Sequence, residues 1–358
     1  EYYDEHSDIP TMYLGGWYDS YARATCENFV ALSQLKKSPQ HLVMGPWTHA
    51  RWDVTYSGDA DFGMDSHIDY NDFRLAWFDR YLKGMNTEVV DWAPVRIFNM
   101  GTGAQVRNHQ GRIEHGGYWS DELSWPPSDV ISKPFYLHRG GELSILKPRG
   151  ECLSETGFIF DPSDPVPTIG GGISAADTVM MPGAYDQRGR LDFHGFQDTL
   201  PLSDRPDVLS FQTDILDSDL KVTGPVEMHL WASSSAFDTD FTAKLVDVFP
   251  PSDDYPEGLV INITDSIIRA RYRNGWEEAE LMTPGEPYEF VFELYPTSNI
   301  FRKGHRVRLD ISSSNWPRFD VNPNTGGRLG LERCYKVAEQ TIYHDIKRPS
   351  HIILPVHS

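Results

Sequence analysis

The sequence predicts a two-part chain, an α/β portion built on parallel strands followed by an all-β antiparallel sandwich. Three observations predict it. Two short apolar runs ending in glycine, TMYLGG at 11–16 and HLVMG at 41–45, flank a stretch of helical periodicity. Between about 85 and 135 the pattern shifts from helical spacing to short strands rich in glycine and proline. From 135 onward almost every window is strand-like, with Gly, Pro, Asp and Asn between the runs.

Taken in order, residues 23–36 place Cys26, Phe29 and Val30 at helical spacing, which makes 11–45 a strand–helix–strand unit. A crossover of that kind sets its two strands parallel and brings the loops after both strands to one edge of the sheet, the edge where open α/β sheets bind ligands. Residues 72–83 (DFRLAWFDRYLK) put Phe73, Trp77 and Tyr81 on one stripe, with Gly84 as a left-handed stop, so a second helix should cover the sheet. The segment 85–135, including a short strand at 94–99, reads as the connection between domains. The adjacent prolines within 118–134 favour an extended crossing segment. The expected organisation is therefore an α/β portion over 1–118, a linker over 119–134 and a β-sandwich of jelly-roll type over 135–358. Its strands are expected at 135–138, 208–213, 225–231, 241–249, 288–294 and 306–312.

Composition narrows the partners. With 52 acidic and 32 basic residues the chain carries a net charge of −20, which repels phosphate backbones and argues against nucleic acid. No run of about 18 apolar residues is present, so no membrane partner is expected. The amino terminus, Glu1-Tyr2-Tyr3-Asp4, lacks the basic and apolar regions of a signal peptide and reads as an internal segment. Cys26, Cys152 and Cys334 lie far apart without CxxC spacing and are expected as three free thiols, Cys26 in a helical core position. Homo-oligomerisation stays open.

The two glycine-ended strands each lead into one side chain capable of catalysis. Gly15-Gly16-Trp17-Tyr18-Asp19 ends in a carboxylate, and Gly45-Pro46-Trp47-Thr48-His49 ends in an imidazole 30 residues later. Adjacent strands lie about 4.8 Å apart, close enough for Asp19 and His49 to hydrogen-bond. A serine hydroxyl needs an imidazole to take its proton, and the imidazole needs a carboxylate to fix its tautomer. The competing reading is that Asp19 caps the following helix and His49 is a solvated loop residue. In α/β-hydrolases the triad runs Ser, Asp, His along the chain, which places the nucleophile upstream of Asp19, where 18 residues are present. No GxSxG elbow occurs in the sequence. Ser57 and the serines at 312–314 lack the strand–elbow–helix setting and are expected to be structural.

The whole chain resembles the carboxyl-terminal part of the cocaine esterase and X-Pro dipeptidyl-peptidase (CocE/NonD) family of serine hydrolases. The resemblance rests on GGWYD at 15–19, GPWTH at 45–49, WFDRYLKG at 77–84, FDPSDPVPTIGG at 160–171 and ASSSAFDTDFTAKLVDVFP at 232–250. It continues through RARYR at 269–273, KGHRVRLDISSSNWPRFDVNPNTG at 303–326 and TIYHDIKRPSHIILPV at 341–356. It implies an α/β-hydrolase domain, interrupted in the family by a helical cap, and then a jelly-roll domain beside the active site. Asp19 and His49 match the family's catalytic acid and base. The family's nucleophile is the serine of a GxSYxG elbow, and an upstream tyrosine hydroxyl joins a backbone N–H in binding the oxyanion; neither segment occurs in this sequence. The resemblance therefore implies a missing amino-terminal hydrolase segment or a companion chain. It implies a small ester or amide substrate; no cofactor is expected, and the spacing of the acidic and histidine residues predicts no metal.

Family members that hydrolyse α-amino acid esters carry two acidic residues soon after the catalytic aspartate, whereas this chain has Ser20, Tyr21 and Ala22. An acyl group without an ammonium suits Trp17, Tyr18, Tyr21 and Trp47, which line the expected substrate site unless they are packing residues. Asp59, Asp61, Asp65 and His67 lack calcium-loop or zinc spacing and read as a solvated turn near the active-site mouth. His344-Asp345, Asp238 and Asp240 read as structural. Asn315, Asp320, Asn322 and Asn324 with Gly326 and Gly327 read as a loop-shaping segment. A second function class is a non-catalytic binding module, with the jelly roll as recognition surface and the truncated α/β portion as scaffold.

Overall fold

The structure, a computed structural model, describes residues 2–150, 153–175 and 179–358. In its first part β1 (Thr11–Tyr18), α1 (Ala22–Leu35) and β2 (Gln40–Thr48) form the expected crossover, with Thr11 opposite Gln40 in a parallel ladder. Two short strands follow, β3 (Tyr56–Ser57) and β4 (Ala60–Asp61), then helix α2 (Tyr70–Lys83). Strands β5 (Val95–Met100), β6 (Ile113–Glu114) and β7 (Gly117–Glu122) complete this part. β5 is not a connection between domains but the third parallel strand, Leu42 lying opposite Val95. Its sequence VRIFNM is buried at five of six positions, as a strand covered on both faces requires.

The helices sit on opposite faces because neighbouring β1 side chains alternate. Tyr13 meets Phe29 of α1 edge-on at 5.9 Å, whereas Met12 packs into the cluster of Trp77 and Val89 beside α2. Phe73, Trp77 and Tyr81 share one stripe as expected: Phe73 stacks on Trp92 at 4.2 Å and Trp77 lies 4.6 Å from Tyr81. Asp69 caps the helix by accepting from the backbone N–H groups of Asn71 and Asp72, and Gly84 ends it at φ 69°.

The second part contains β8 (Val130–His138), β9 (Glu142–Ser144), β10 (Glu155–Phe160), β11 (Leu209–Gln212), β12 (Leu220–Ser234) and β13 (Asp240–Phe249). It continues with β14 (Leu259–Arg269), β15 (Tyr288–Phe301), β16 (Arg306–Ser312), β17 (Ala338–Tyr343) and β18 (His351–His357). One antiparallel run is β15-β12-β18-β8, with β17 and β10 added along β12; the other is β11-β16-β13-β14. Their apolar faces meet where Phe241 of β13 lies 4.9 Å from Phe290 of β15, two strands that share no ladder. Strands β9, β10 and β14 are not among the runs expected from sequence, while β17 and β18 flank His344-Asp345.

The predicted linker is mostly paired strand. β7 runs antiparallel to β5 through Trp119–Glu122, and β8 begins pairing with β18 at Val130. Only the stretch around Pro126 and Pro127, which cannot donate to a ladder, is free of it. The two parts are also fused through a single core that runs from Met44, Ile97 and Phe98 to Leu294, Phe301 and Leu309. Asn99 of β5, fully buried, spans the junction by donating to Ser120 Oγ at 2.9 Å and accepting from Ser298 Oγ at 2.9 Å.

Polar groups buried at this junction tie its stability to pH. His305 Nδ1 meets Asp247 at 2.8 Å, both buried. His115 is buried between Phe62 and Phe249, and neither ring nitrogen has a partner in good geometry. Burial drives its pKa down to about 4, the backbone of Gly116 only partly offsetting it and the nearby His305 adding to it. Because the folded value lies below that of an unfolded histidine, this contribution is complete above pH ~6.5 and is lost as pH falls toward 4, a change on the order of 3 kcal/mol. His115→Leu is expected to flatten the fall in thermal midpoint over that window. An unchanged slope in the variant would refute the assignment.

Candidate active site

Where β1 and β2 end, the motif residues explain one another. The ladder pairs Gly16 with Gly45 and then Tyr18 with Thr48, so β2 carries one extra residue at Pro46-Trp47. Proline has no N–H to keep the ladder in step, and the resulting bulge turns the strand end. Gly16 is required opposite it, because a methyl there would lie 2.2 Å from the Trp47 carbonyl oxygen. One residue past the Tyr18–Thr48 pair come Asp19 and His49, from neighbouring strand ends.

Asp19 Oδ2 accepts from His49 Nδ1 at 3.0 Å. The other oxygen, Oδ1, accepts from the Tyr21 backbone N–H at 3.0 Å, in the turn that starts α1. Asp19 is 6% exposed, whereas the His49 side chain is 47% exposed. With Nδ1–H directed at the carboxylate, Nε2 is left as the basic nitrogen, and among the described residues it makes no hydrogen bond. A turn closed by Arg51 N–H on the Thr48 carbonyl, at 3.2 Å, presents the ring, with Ala50 held in left-handed backbone at φ 56°. That conformation is uncommon for a residue with a Cβ and persists where the surroundings impose it. The arrangement can take a proton at Nε2 from a hydroxyl brought against it and hold the resulting positive charge against Asp19.

Of the four aromatics expected to line the substrate site, three do not. Trp17 is 2% exposed, donates through Nε1 to the Phe98 carbonyl at 2.8 Å and stacks on Trp125. Trp47 is 2% exposed and donates to the Ser66 carbonyl at 2.9 Å. Tyr18 has no exposed surface, and its hydroxyl donates to the Asn262 carbonyl at 3.1 Å; burial, and to a lesser degree Asp247, raises its pKa far above the usual phenol. Strand alternation at a sheet covered on both faces buries all three. Tyr21 differs from these three: it is 55% exposed, with its ring 5.3 Å from that of His49.

Most of the remaining candidates are engaged in structural contacts, while Asp65 and His67 are exposed. Asp59 is not a solvated turn residue, since both its oxygens accept from Arg190 Nη1, at 2.9 and 2.8 Å. Asp61 accepts from Asn108 Nδ2 at 2.8 Å. Among the described residues no group of three or more His, Cys, Asp or Glu is placed to hold a metal. His344 and Asp345 do not form a dyad: the imidazole contacts Ser154 and Thr156, while the carboxylate holds Arg348. Asp238 and Asp240 pair with Arg271 and Arg269, and Asn322 bridges the two carboxylates. Asn324 takes the left-handed conformation expected of a turn asparagine, at φ 62°. Asn315 does more than shape a loop, donating to the buried Asp265 at 3.0 Å. Ser57 donates to the Pro46 carbonyl, and Ser312 and Ser314 are spent on buried hydrogen bonds. Cys26 is buried, its thiol pKa raised by burial; Cys334 is exposed, and Cys152 lies outside the described residues.

Two residues near the pair escaped the sequence reading. Asn262 receives the Tyr18 hydroxyl, and Gly172 passes so close that a methyl on it would lie 3.1 Å from the Asp19 carbonyl oxygen. The run of three glycines at 170–172 is a sequence signal for Gly172; Asn262 carries none.

Comparison with known proteins places the chain. The model of the X-Pro dipeptidyl-peptidase C-terminal non-catalytic domain matches residues 87–353, and that of the X-Pro dipeptidyl-peptidase S15 family matches residues 1–51. The chain is 34% identical to the cocaine esterase of Rhodococcus sp. (strain MB1 Bresler), over 97% of this chain and 56% of that protein. A crystal structure of an aminopeptidase from a marine sediment archaeon, Thaumarchaeota archaeon, superposes with a TM-score of 0.81 at 25% identity, over 99% of this chain and 56% of that one. An α-amino acid ester hydrolase superposes with a TM-score of 0.78 at 29% identity, with the same coverage. The chain thus spans about half the length of the relatives it matches. The chain belongs to the cocaine esterase and X-Pro dipeptidyl-peptidase family of hydrolases and corresponds to its carboxyl-terminal part.

Proposed function

We propose that Asp19 and His49 are the acid and base of a serine hydrolase that cleaves small esters or amides through an acyl-enzyme. The observation that carries this reading is the 3.0 Å contact from Asp19 Oδ2 to His49 Nδ1, with Nε2 turned outward and unpartnered among the described residues. His49 takes the proton of a serine hydroxyl as that oxygen attacks the acyl carbon, and returns it to the leaving group as the acyl bond breaks. Water then repeats the cycle to release the acid. Asp19 holds the tautomer and steadies the imidazolium.

The serine and the oxyanion donors belong to polypeptide outside these residues, either a preceding segment or a companion chain. β1 supports this, because among the described residues it pairs only with β2 and stands at the end of the sheet, an open edge beside the proposed site. Leu75, Phe78 and Leu82, all exposed on α2, offer that segment apolar surface to cover. The following β-sandwich serves as the jelly-roll domain of the family. Tyr21, next to His49, faces the acyl or leaving group, and the absence of carboxylates at Ser20, Tyr21 and Ala22 favours an esterase or acylase over an amino-ester specialist.

Intact mass under denaturing conditions, before and after fluorophosphonate treatment, tests the reading. One adduct on a longer or second polypeptide is expected. An unmodified 40.8 kDa species alone would instead favour the binding-module reading. In the serine-bearing protein Asp19→Asn is expected to lower kcat by about 10⁴-fold with the fold intact by circular dichroism. Tyr21→Ala should raise KM for aromatic acyl esters more than for acetyl esters while changing stability by no more than about 0.5 kcal/mol. Equal effects on both ester classes would remove Tyr21 from the substrate site.

A further inference from the structure

The β-rich part of the chain reaches the two backbone positions that flank the Asp19 carboxylate. Tyr18 immediately precedes Asp19, and its buried hydroxyl donates to the Asn262 carbonyl of β14 at 3.1 Å. A phenylalanine would fill the same apolar space, so the hydroxyl adds an anchor rather than volume. The Asn262 side chain, itself buried, donates to the Gly183 carbonyl at 3.1 Å and accepts from the Tyr185 N–H at 2.7 Å. Gly183 in turn exchanges both backbone hydrogen bonds with Gly171, at 2.8 and 3.0 Å. One residue therefore ties together the anchor of Tyr18 and the glycine segment that crosses Asp19.

That segment is held on its other side as well. Thr168 Oγ1 donates to Asn315 Oδ1 at 2.8 Å and accepts from the Arg318 backbone N–H at 3.3 Å. Asn315 Nδ2 and the Arg318 guanidinium both bond the buried carboxylate of Asp265. Gly171, at φ 107°, lies so near Arg318 that a methyl would come within 2.7 Å of Nη1, and Gly172 then abuts the Asp19 carbonyl. The backbone is clamped between two buried polar networks of the β-rich part, with no side chain between it and Asp19.

We infer that the β-rich domain acts as a positioning element for the catalytic acid: Tyr18 anchored on Asn262, and Gly172 seated on Asp19, set the angle at which the Asp19 carboxylate meets His49. The inference rests on the reading of Asp19 and His49 as acid and base. It assigns Tyr18 and Gly172 as positioning residues, which touch no substrate and act through Asp19. A triad tolerates little displacement, a misplacement of about 1 Å costing on the order of 10²-fold in rate.

The test uses Tyr18→Phe and Gly172→Ala in the serine-bearing protein, well below its unfolding midpoint. Ile342→Val, a fully buried change in β17, serves as the control for lost stability alone. Each positioning variant is expected to lower kcat by about tenfold or more, with KM within about twofold. Each should also move the low-field proton resonance of His49 Nδ1–H. The control should leave both unchanged. Should Tyr18→Phe fail to fold, Gly172→Ala decides. Wild-type kcat and resonance position in the folded variants, alongside an inactive Asp19→Asn, would overturn the positioning role and leave the acid–base reading standing. An Asp19→Asn protein with full kcat would overturn both.

Discussion

The close crossing of β1 and β2 at Gly16 and Trp47 is the constraint from which the rest of the site follows. A carbonyl oxygen occupies the space where any larger residue at 16 would put its Cβ, and Pro46 breaks the ladder at the same level. The bulge absorbs one residue of β2 and sets His49 back by one position, opposite Asp19, and the 3.0 Å contact between them is its result. Had the ladder stayed in register, Asp19 would face Thr48 rather than His49, since each residue of slip in a strand turns a side chain to the other face.

Around that crossing the large aromatic residues act as structure. Trp17, Tyr18 and Trp47 point into the layers on either side of the sheet and spend their polar atoms on backbone carbonyls of Phe98, Asn262 and Ser66. Their burial stiffens the strand ends that carry Asp19 and His49, and a rigid element holds catalytic geometry better than a mobile loop. The motifs GGWYD and GPWTH thus each end in one side chain of the Asp19–His49 pair, preceded by the packing that aims it.

The two parts of the chain are not independent bodies. They share one apolar core, a continuous sheet path through Met100 and Asn299, buried hydrogen bonds at Asn99 and Tyr18, and a part-buried contact from His305 Nε2 to Gln105 Oε1. Arg190 reaches back to clasp Asp59 with two hydrogen bonds. A group as poorly satisfied as His115 persists at this junction because the packing around it leaves the ring no route to water.

Local pattern by itself determined the parallel crossover, both helices with their apolar stripes, the antiparallel character of the second part, and the candidacy of Asp19 and His49. Each of these follows from spacing along a few turns or one strand, where periodicity and glycine or proline chemistry act directly. Pattern did not determine that β5 joins the parallel sheet, that the linker pairs as β7 and β8, or that β9, β10 and β14 exist. Pairing depends on a partner strand remote in sequence, and TDSIIR or HIILPV carries little sign of which neighbour it will meet. Nor could an aromatic beside a catalytic motif declare whether it faces solvent, because Trp17 and Tyr21 read alike until a second layer covers one and leaves the other open. Tertiary structure alone decided that Asn262 and Gly172, contributed from 244 and 153 residues beyond Tyr18 and Asp19, close over the Asp19 segment, since only the docking of the β-rich layer brings those backbones together.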